Sequence, residues 1–213
     1  MKAAGLELSN ARRVAASKLE KQVVSELRDL AMPGVRFQVE LATISGKPGF
    51  GPAGTDAVRF LLSANAGEAP GRISHIASGG ELSRIMLALK NVFARRDPVP
   101  SMVFDEVDTG VSGVAAQRVG EKLAALSGDK QVICITHLPQ IAVMADHHYL
   151  IKKQVSDGKT RTTVQLLDSD GSGQEIARLH GGAHVTELTL ASAREQLAAA
   201  EAFKTSIRSG KDV

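Results

Sequence analysis

The 213-residue chain has no tryptophan and one tyrosine, and aromatics make up 3 % of it. That leaves no stacking platform of the kind single-strand nucleic-acid binders need. There is one cysteine, Cys134, set in the apolar run VICIT. It cannot pair within the chain, which fits a reducing cytosol. No apolar run approaches the roughly 20 residues of a membrane span. The opening MKAAGLELSNARR lacks the apolar stretch of a secretory signal. The expectation is a cytoplasmic protein without a membrane partner. Neither sign of charge dominates: a net charge of +3 permits nucleic-acid contact without arguing for it. No Cys/His cluster has zinc spacing, and there is no Gly-x-Ser-x-Gly nucleophile turn. No stretch matches the phosphate loop G-x-x-x-x-G-K-[ST]. Gly158-Lys159-Thr160 comes nearest, but Lys153 stands where the first glycine is required. Asp157-Gly158 lies between two alternating runs and reads as a hairpin turn.

What is present is a composition 43 % apolar and 23 % charged, enough for a buried core. Leu6 to Leu30 reads as a helix, with Leu8, Ala15, Leu19, Val23, Leu27 and Leu30 recurring at three- and four-residue steps. It stops at Met32-Pro33-Gly34. Two readings stay open for it: a helix of the domain, or the last turns of a coiled coil entering a globular head. Val35–Ile44 and Ala57–Ser63 alternate as strands. Between them, Gly49-Phe-Gly51-Pro-Ala-Gly54 matches G-x-G-x-x-G, but a dinucleotide site needs a helix next, and a β-rich segment follows. A hairpin loop is the expectation there.

Ser78–Arg96 is an amphipathic helix that starts in Ser-Gly-Gly. Free N–H groups and the positive end of the helix dipole make such a start suited to an anion, and a nucleotide phosphate is the obvious guest. MVFDE, Met102–Glu106, is a short strand ending in two acids. Ser112–Leu126 is a helix, Gln131–Thr136 a buried-looking strand ending at His137, Pro139–Ala145 a short helix, and His148–Lys153 a strand. Strand–helix–strand repeats of this kind predict a parallel sheet. Gln174–Ile207 is helical, with a break at Gly181-Gly182.

Functional groups of a parallel sheet gather beyond the carboxyl ends of its strands. Asp105-Glu106 and His137 therefore share one rim. Asp105 can hold Mg²⁺, since a hard cation takes oxygen ligands. Glu106 can orient or deprotonate a water. His137 can donate to a γ-phosphate oxygen. Asp108, in the turn EVDTG, can touch a neighbouring subunit. His75 and His147-His148 read as structural or surface residues. Lys152, Lys153, Lys159 and Arg161 make a small basic hairpin, read either as a solvated face or as a DNA contact.

ASGGE at Ala77–Glu81 resembles the signature motif of ABC-type ATPases, MVFDE their Walker B strand, and Asp108 falls at their D-loop. ITHLPQIA, Ile135–Ala142, resembles their switch-histidine region. The flanking residues, from about Leu19 to Ala193, resemble the SMC-like branch that acts in bacterial DNA repair. The resemblance implies an α/β fold: half of an ABC/SMC-type ATPase head, a mostly parallel sheet flanked by helices. Residues 1–32 would end a coiled-coil arm and 33–213 form the carboxyl-terminal lobe. It further implies that the amino-terminal half of the same protein carries Walker A. Ser78, Gly79, Gly80 and Glu81 would then meet ATP held by the second head of a homodimer, with Mg²⁺ at Asp105, Glu106 and His137 catalytic, and Asp108 at the nucleotide. Double-stranded DNA ends are the implied partner, and this chain without Walker A should hydrolyse essentially no ATP. The alternatives are a non-catalytic DNA- or partner-binding half-domain, or the half-head of another SMC-like ATPase.

Overall fold

The computed structural model describes residues 2–44, 53–73, 79–94, 96–156, 159–182 and 184–210. Two compact units divide the chain, Met1–Asp97 and Pro98–Val213.

In the first unit, helix α1 (Lys2–Asp29) is followed by strands β1 (Arg36–Thr43), β2 (Asp56–Ser63) and β3 (Gly71–Arg72), then helix α2 (Gly79–Phe93). The strands form one antiparallel sheet in that order, with Arg36 opposite Ser63 and Thr43 opposite Asp56. α1 packs on β1 and α2. Val23 and Leu27 of its second half and Leu30 just past its end are fully buried, as are Ile85, Leu87 and Ala88 of α2. The first half buries smaller and polar residues instead, Gly5 and Ser9, while Ala15 is exposed. Ser9 donates to Asp56 at 2.7 Å, and Arg12 reaches Asp56 at 3.0 Å and the Ala53 carbonyl at 2.6 Å. The apolar face expected over Leu8 and Ala15 is thus displaced: a buried polar contact to the start of β2 decides which side faces inward. Gly54 lies beneath this contact with φ +85°, and a Cβ there would meet Leu8 Cδ2 at 2.8 Å. A strand, not a helix, follows Gly54, which excludes the dinucleotide reading; Gly49 and Gly51 lie outside the described residues.

α1 ends in a Schellman motif. Met32 N–H donates to the Leu27 carbonyl and Ala31 N–H to that of Arg28, with Ala31 left-handed at φ 62°. Among the described strands β1 lies at the edge of its sheet, and its Val39 N–H donates to Glu20 of α1 at 2.8 Å, which satisfies part of that edge.

The second unit runs β4 (Ser101–Phe104), α3 (Gly113–Leu126), β5 (Gln131–Cys134), α4 (Pro139–Ala142), β6 (Tyr149–Ser156), β7 (Lys159–Leu166), α5 (Ser169–Gly181) and α6 (Glu187–Arg208). β4 and β5 pair in parallel, Ser101 opposite Gln131 and Phe104 opposite Cys134. Among the described strands this is the one parallel pair, and α3 supplies the crossover that such pairing requires. β6 and β7 form an antiparallel hairpin with Ser156 opposite Lys159; its expected turn, Asp157-Gly158, lies outside the described residues.

β4 alternates, with Met102 and Phe104 buried and Val103 66 % exposed. VICIT was expected to be buried, yet Ile133 and Ile135 are each 49 % exposed. The short strands present alternate residues to opposite faces, and only one face meets the core. α5 begins at Asp168, whose side chain caps the Gly171 N–H, and α6 begins in a Thr186–Thr189 capping box. His148 bridges Ala142 O at 2.8 Å and Ser172 Oγ at 3.0 Å, and so is a satisfied structural histidine. Lys204, 3 % exposed, reaches back from α6 to Ala145 O and Asp146.

Candidate functional site

The strand β4 delivers its polar residues into a tight turn. Glu106 follows Asp105 with φ 59°, in the left-handed region that a side chain of this size rarely adopts. Its N–H donates to Asp105 Oδ1 at 3.0 Å, and its carbonyl accepts from Thr109 N–H at 3.1 Å. Val107 is fully buried and pins the turn to the core, so Asp105 and Glu106 stand exposed before it and Asp108 is drawn inward after it. Backbone strain held at a pair of exposed acids is a pattern of functional sites.

Asp108 is 5 % exposed. Its Oδ2 accepts from Thr136 Oγ1 at 2.7 Å and from the His137 N–H at 3.0 Å, and lies 3.0 Å from His137 Nδ1. Thr136 Oγ1 in turn accepts from the Leu138 N–H at 3.0 Å, just before α4 begins. The loop after β4 is thereby tied to the loop after β5, and the two acids and the histidine occupy neighbouring strand ends, as expected. The His137 ring is 76 % exposed. Asp108, expected to face a neighbouring subunit, has its carboxylate turned to Thr136 and His137 of its own chain. Thr136 was not singled out by spacing; a hydroxyl directly before the strand-end histidine was the available signal.

Of the signature residues, Ser78 and His75 lie outside the described residues. Gly79 and Gly80 begin α2, with Gly79 exposed and Gly80 buried. Glu81 stands in the first turn. Burial holds the Arg84 guanidinium below its ordinary value, and the Glu81 charge partly restores it. Burial also pushes the Cys134 thiol up to about 12, with the charges of Asp108 and Asp105 adding to it, so Cys134 is not a poised nucleophile.

Among the described residues, no group of three or more His, Cys, Asp or Glu could hold a metal ion. The exposed Asp105 and Glu106 oxygens still suit Mg²⁺, which takes one or two carboxylates and fills its octahedron with water and phosphate oxygens. No described helix is long and apolar enough to cross a membrane.

No protein-family model matches the chain. It is 44 % identical over 198 residues to the DNA repair protein RecN of Halalkalibacterium halodurans, covering 92 % of this chain and 35 % of that one. With RecN of Bacillus subtilis it shares 42 % identity over 210 residues, 93 % of this chain and 36 % of that one. The chain is a relative of the RecN proteins. It spans about a third of the length of these curated RecN relatives. RecN of Deinococcus radiodurans is 43 % identical over 194 residues, 91 % of this chain and 33 % of that protein. Among solved structures, the Smc head domain with a coiled coil and joint derived from Pyrococcus yayanosii superposes with a TM-score of 0.52. It is 24 % identical and covers 80 % of this chain and 30 % of that one. The RecN-related chain therefore has the fold of part of an SMC-type head.

Proposed function

We propose that this chain is the signature-, Walker B- and switch-histidine-bearing part of a RecN-type ATPase head that hydrolyses ATP between two heads in double-strand-break repair. The observation that carries the reading is the rim at the ends of β4 and β5. There a strained Asp105-Glu106 turn is tied through Asp108 to His137. Its RecN relatives, named as DNA repair proteins, supply the biological setting.

In this reading Asp105 holds Mg²⁺, whose charge would neutralise phosphate oxygens when bound. Glu106 orients the attacking water and takes its proton, and His137 donates to the γ-phosphate. Ser78, Gly79 and Gly80 meet ATP carried by the second head, with Glu81 setting the charge of that helix turn. Residues 1–32 lead in from a coiled-coil arm, and 33–213 form the carboxyl-terminal lobe. An amino-terminal part of the same protein supplies Walker A. The open face of β4–β5, with Val103 66 % exposed and Ile133 and Ile135 each 49 % exposed, supports a missing partner of that kind. The protein would work in the cytoplasm, on DNA at the nucleoid. Lys152, Lys159 and Arg161 share one face of the β6–β7 hairpin, suited to a phosphate backbone, whereas the register turns Lys153 to the other.

The test is Mg²⁺-ATP turnover by this chain, alone and mixed with a Walker A-bearing amino-terminal segment. No turnover alone and recovery on mixing are expected, because the backbone cradle and lysine of a phosphate loop are missing here. In the mixture, Glu106→Gln should keep nucleotide binding and slow turnover by about 10²–10⁴-fold. Robust turnover by the chain alone would sink the half-site reading.

A further inference from the structure

We propose that Asp108 is a positioning residue for His137: it fixes the ring with a proton on Nδ1 and presents Nε2 outward. One oxygen, Asp108 Oδ2, accepts from Thr136 Oγ1 at 2.7 Å and from the His137 N–H at 3.0 Å, and His137 Nδ1 lies 3.0 Å from the same atom. A carboxylate only accepts, so the nitrogen beside it must be the one that carries hydrogen. The backbone hydrogen bond and the ring contact come from the same residue and reach the same atom. Together they set the position of the histidine and the rotation of its ring.

The burial contrast makes the arrangement directional. Asp108 is 5 % exposed while the His137 side chain is 76 % exposed. The anchor is sheltered and rigid, and the far nitrogen is free to meet a ligand. Thr136 holds the anchor from the other side, and its oxygen also fixes the Leu138 N–H at the entry to α4. When Nε2 donates to a phosphate oxygen, both ring nitrogens carry protons, and the Asp108 carboxylate is the counter-charge at the far end. An acid that orients a working histidine from behind, without touching the reacting atoms, is a known use of this geometry. The role at phosphate rests on the ATPase reading; the tautomer does not.

The two are separated by two measurements. Nitrogen-15 spectra of the His137 ring in this chain, recorded where the ring is neutral, should show the Nδ1–H form. Asp108→Asn, which can place a neutral oxygen at the same point, should keep that form. Asp108→Ala should release the ring to the Nε2–H form. A predominantly Nε2–H ring in the unaltered chain overturns the proposal, and that result needs no variant to fold. An unchanged tautomer in a folded Asp108→Ala chain overturns it equally. In the complete protein, Asp108→Ala should lower kcat about 10–100-fold with little change in KM for ATP, since orientation serves the transition state rather than binding. An unchanged kcat removes the positioning role in turnover. Absence of ATPase activity in the unaltered complete protein would instead sink the ATPase reading and leave the tautomer result standing.

Discussion

Two residues other than glycine hold positive φ among the described residues, Ala31 at 62° and Glu106 at 59°. The same strain has different causes. Ala31 is the residue past the end of α1, where the Schellman bonds to Leu27 and Arg28 demand a left-handed backbone. Nothing in that local geometry requires a side chain. Glu106 meets no helix end; it stands in the turn that separates exposed Asp105 from buried Val107. Left-handed backbone costs an L-residue about 1–2 kcal/mol, and glycine's extra freedom in the unfolded chain returns about 0.4–1 kcal/mol of that gain. Ala31→Gly and Glu106→Gly should therefore each stabilise the chain by about 0.5–1 kcal/mol. Urea unfolding measures this as a raised midpoint at constant slope. A lowered midpoint for Glu106→Gly would mean that the Glu106 side chain supports the turn, and the strain would lose its functional interpretation.

At the scale of elements, the approach of α3 to α4 depends on Gly120. A Cβ there would meet the Gln140 carbonyl oxygen at 2.9 Å, Met144 Cγ at 3.0 Å and Ile141 Cα at 3.2 Å. Two of these are backbone atoms and cannot rotate away. Alanine gains about 1 kcal/mol of helix propensity over glycine, but overpacking costs about 1–3 kcal/mol. Gly120→Ala should come out destabilising, and by displacing α4 it should broaden or shift the amide resonances of His137 and Leu138. Stability equal to or above the parent would show that the two helices part without cost. The sequence made the elements themselves legible: 3.6-residue apolar periods over α2 and α3, and alternation in β1, β2 and the β6–β7 hairpin. It also placed Asp105, Glu106 and His137 at neighbouring strand ends. It did not reveal the buried side of α1, because that is decided by Ser9 and Arg12 meeting Asp56, 47 and 44 residues away. Nor did it reveal that Asp108 turns inward, since a carboxylate in a turn gives no sign of the Thr136 hydroxyl that will meet it.

For the whole molecule, each unit contains a carboxylate held below its ordinary range. In the first, the Ser9 hydroxyl and then the Arg12 guanidinium hold Asp56 down. In the second, burial pushes Asp146 up, but hydrogen bonds and charge from Lys204 and Arg208 outweigh it. These two contacts tie sequence-distant parts: α1 to the start of β2, and α6 to the loop after α4. A carboxyl with a depressed folded pKa binds fewer protons in the native state than in the unfolded one. It contributes stability that is fully present above the ordinary value of 3.8 and is lost as pH falls through the folded value. Thermal midpoints should therefore change little on this account between neutral pH and about 5, then drop as the medium becomes more acid than 3.8. Asp56→Asn and Asp146→Asn should each begin from a lower midpoint at neutral pH and fall less steeply in acid, because the titrating group is gone. The double variant should be shallower than either, since the sites lie in separate units and share no partner. If neither single variant alters the acid slope, these carboxylates are not what acid attacks, and the links from α1 to β2 and from α6 to the α4 loop contribute no pH-dependent stability.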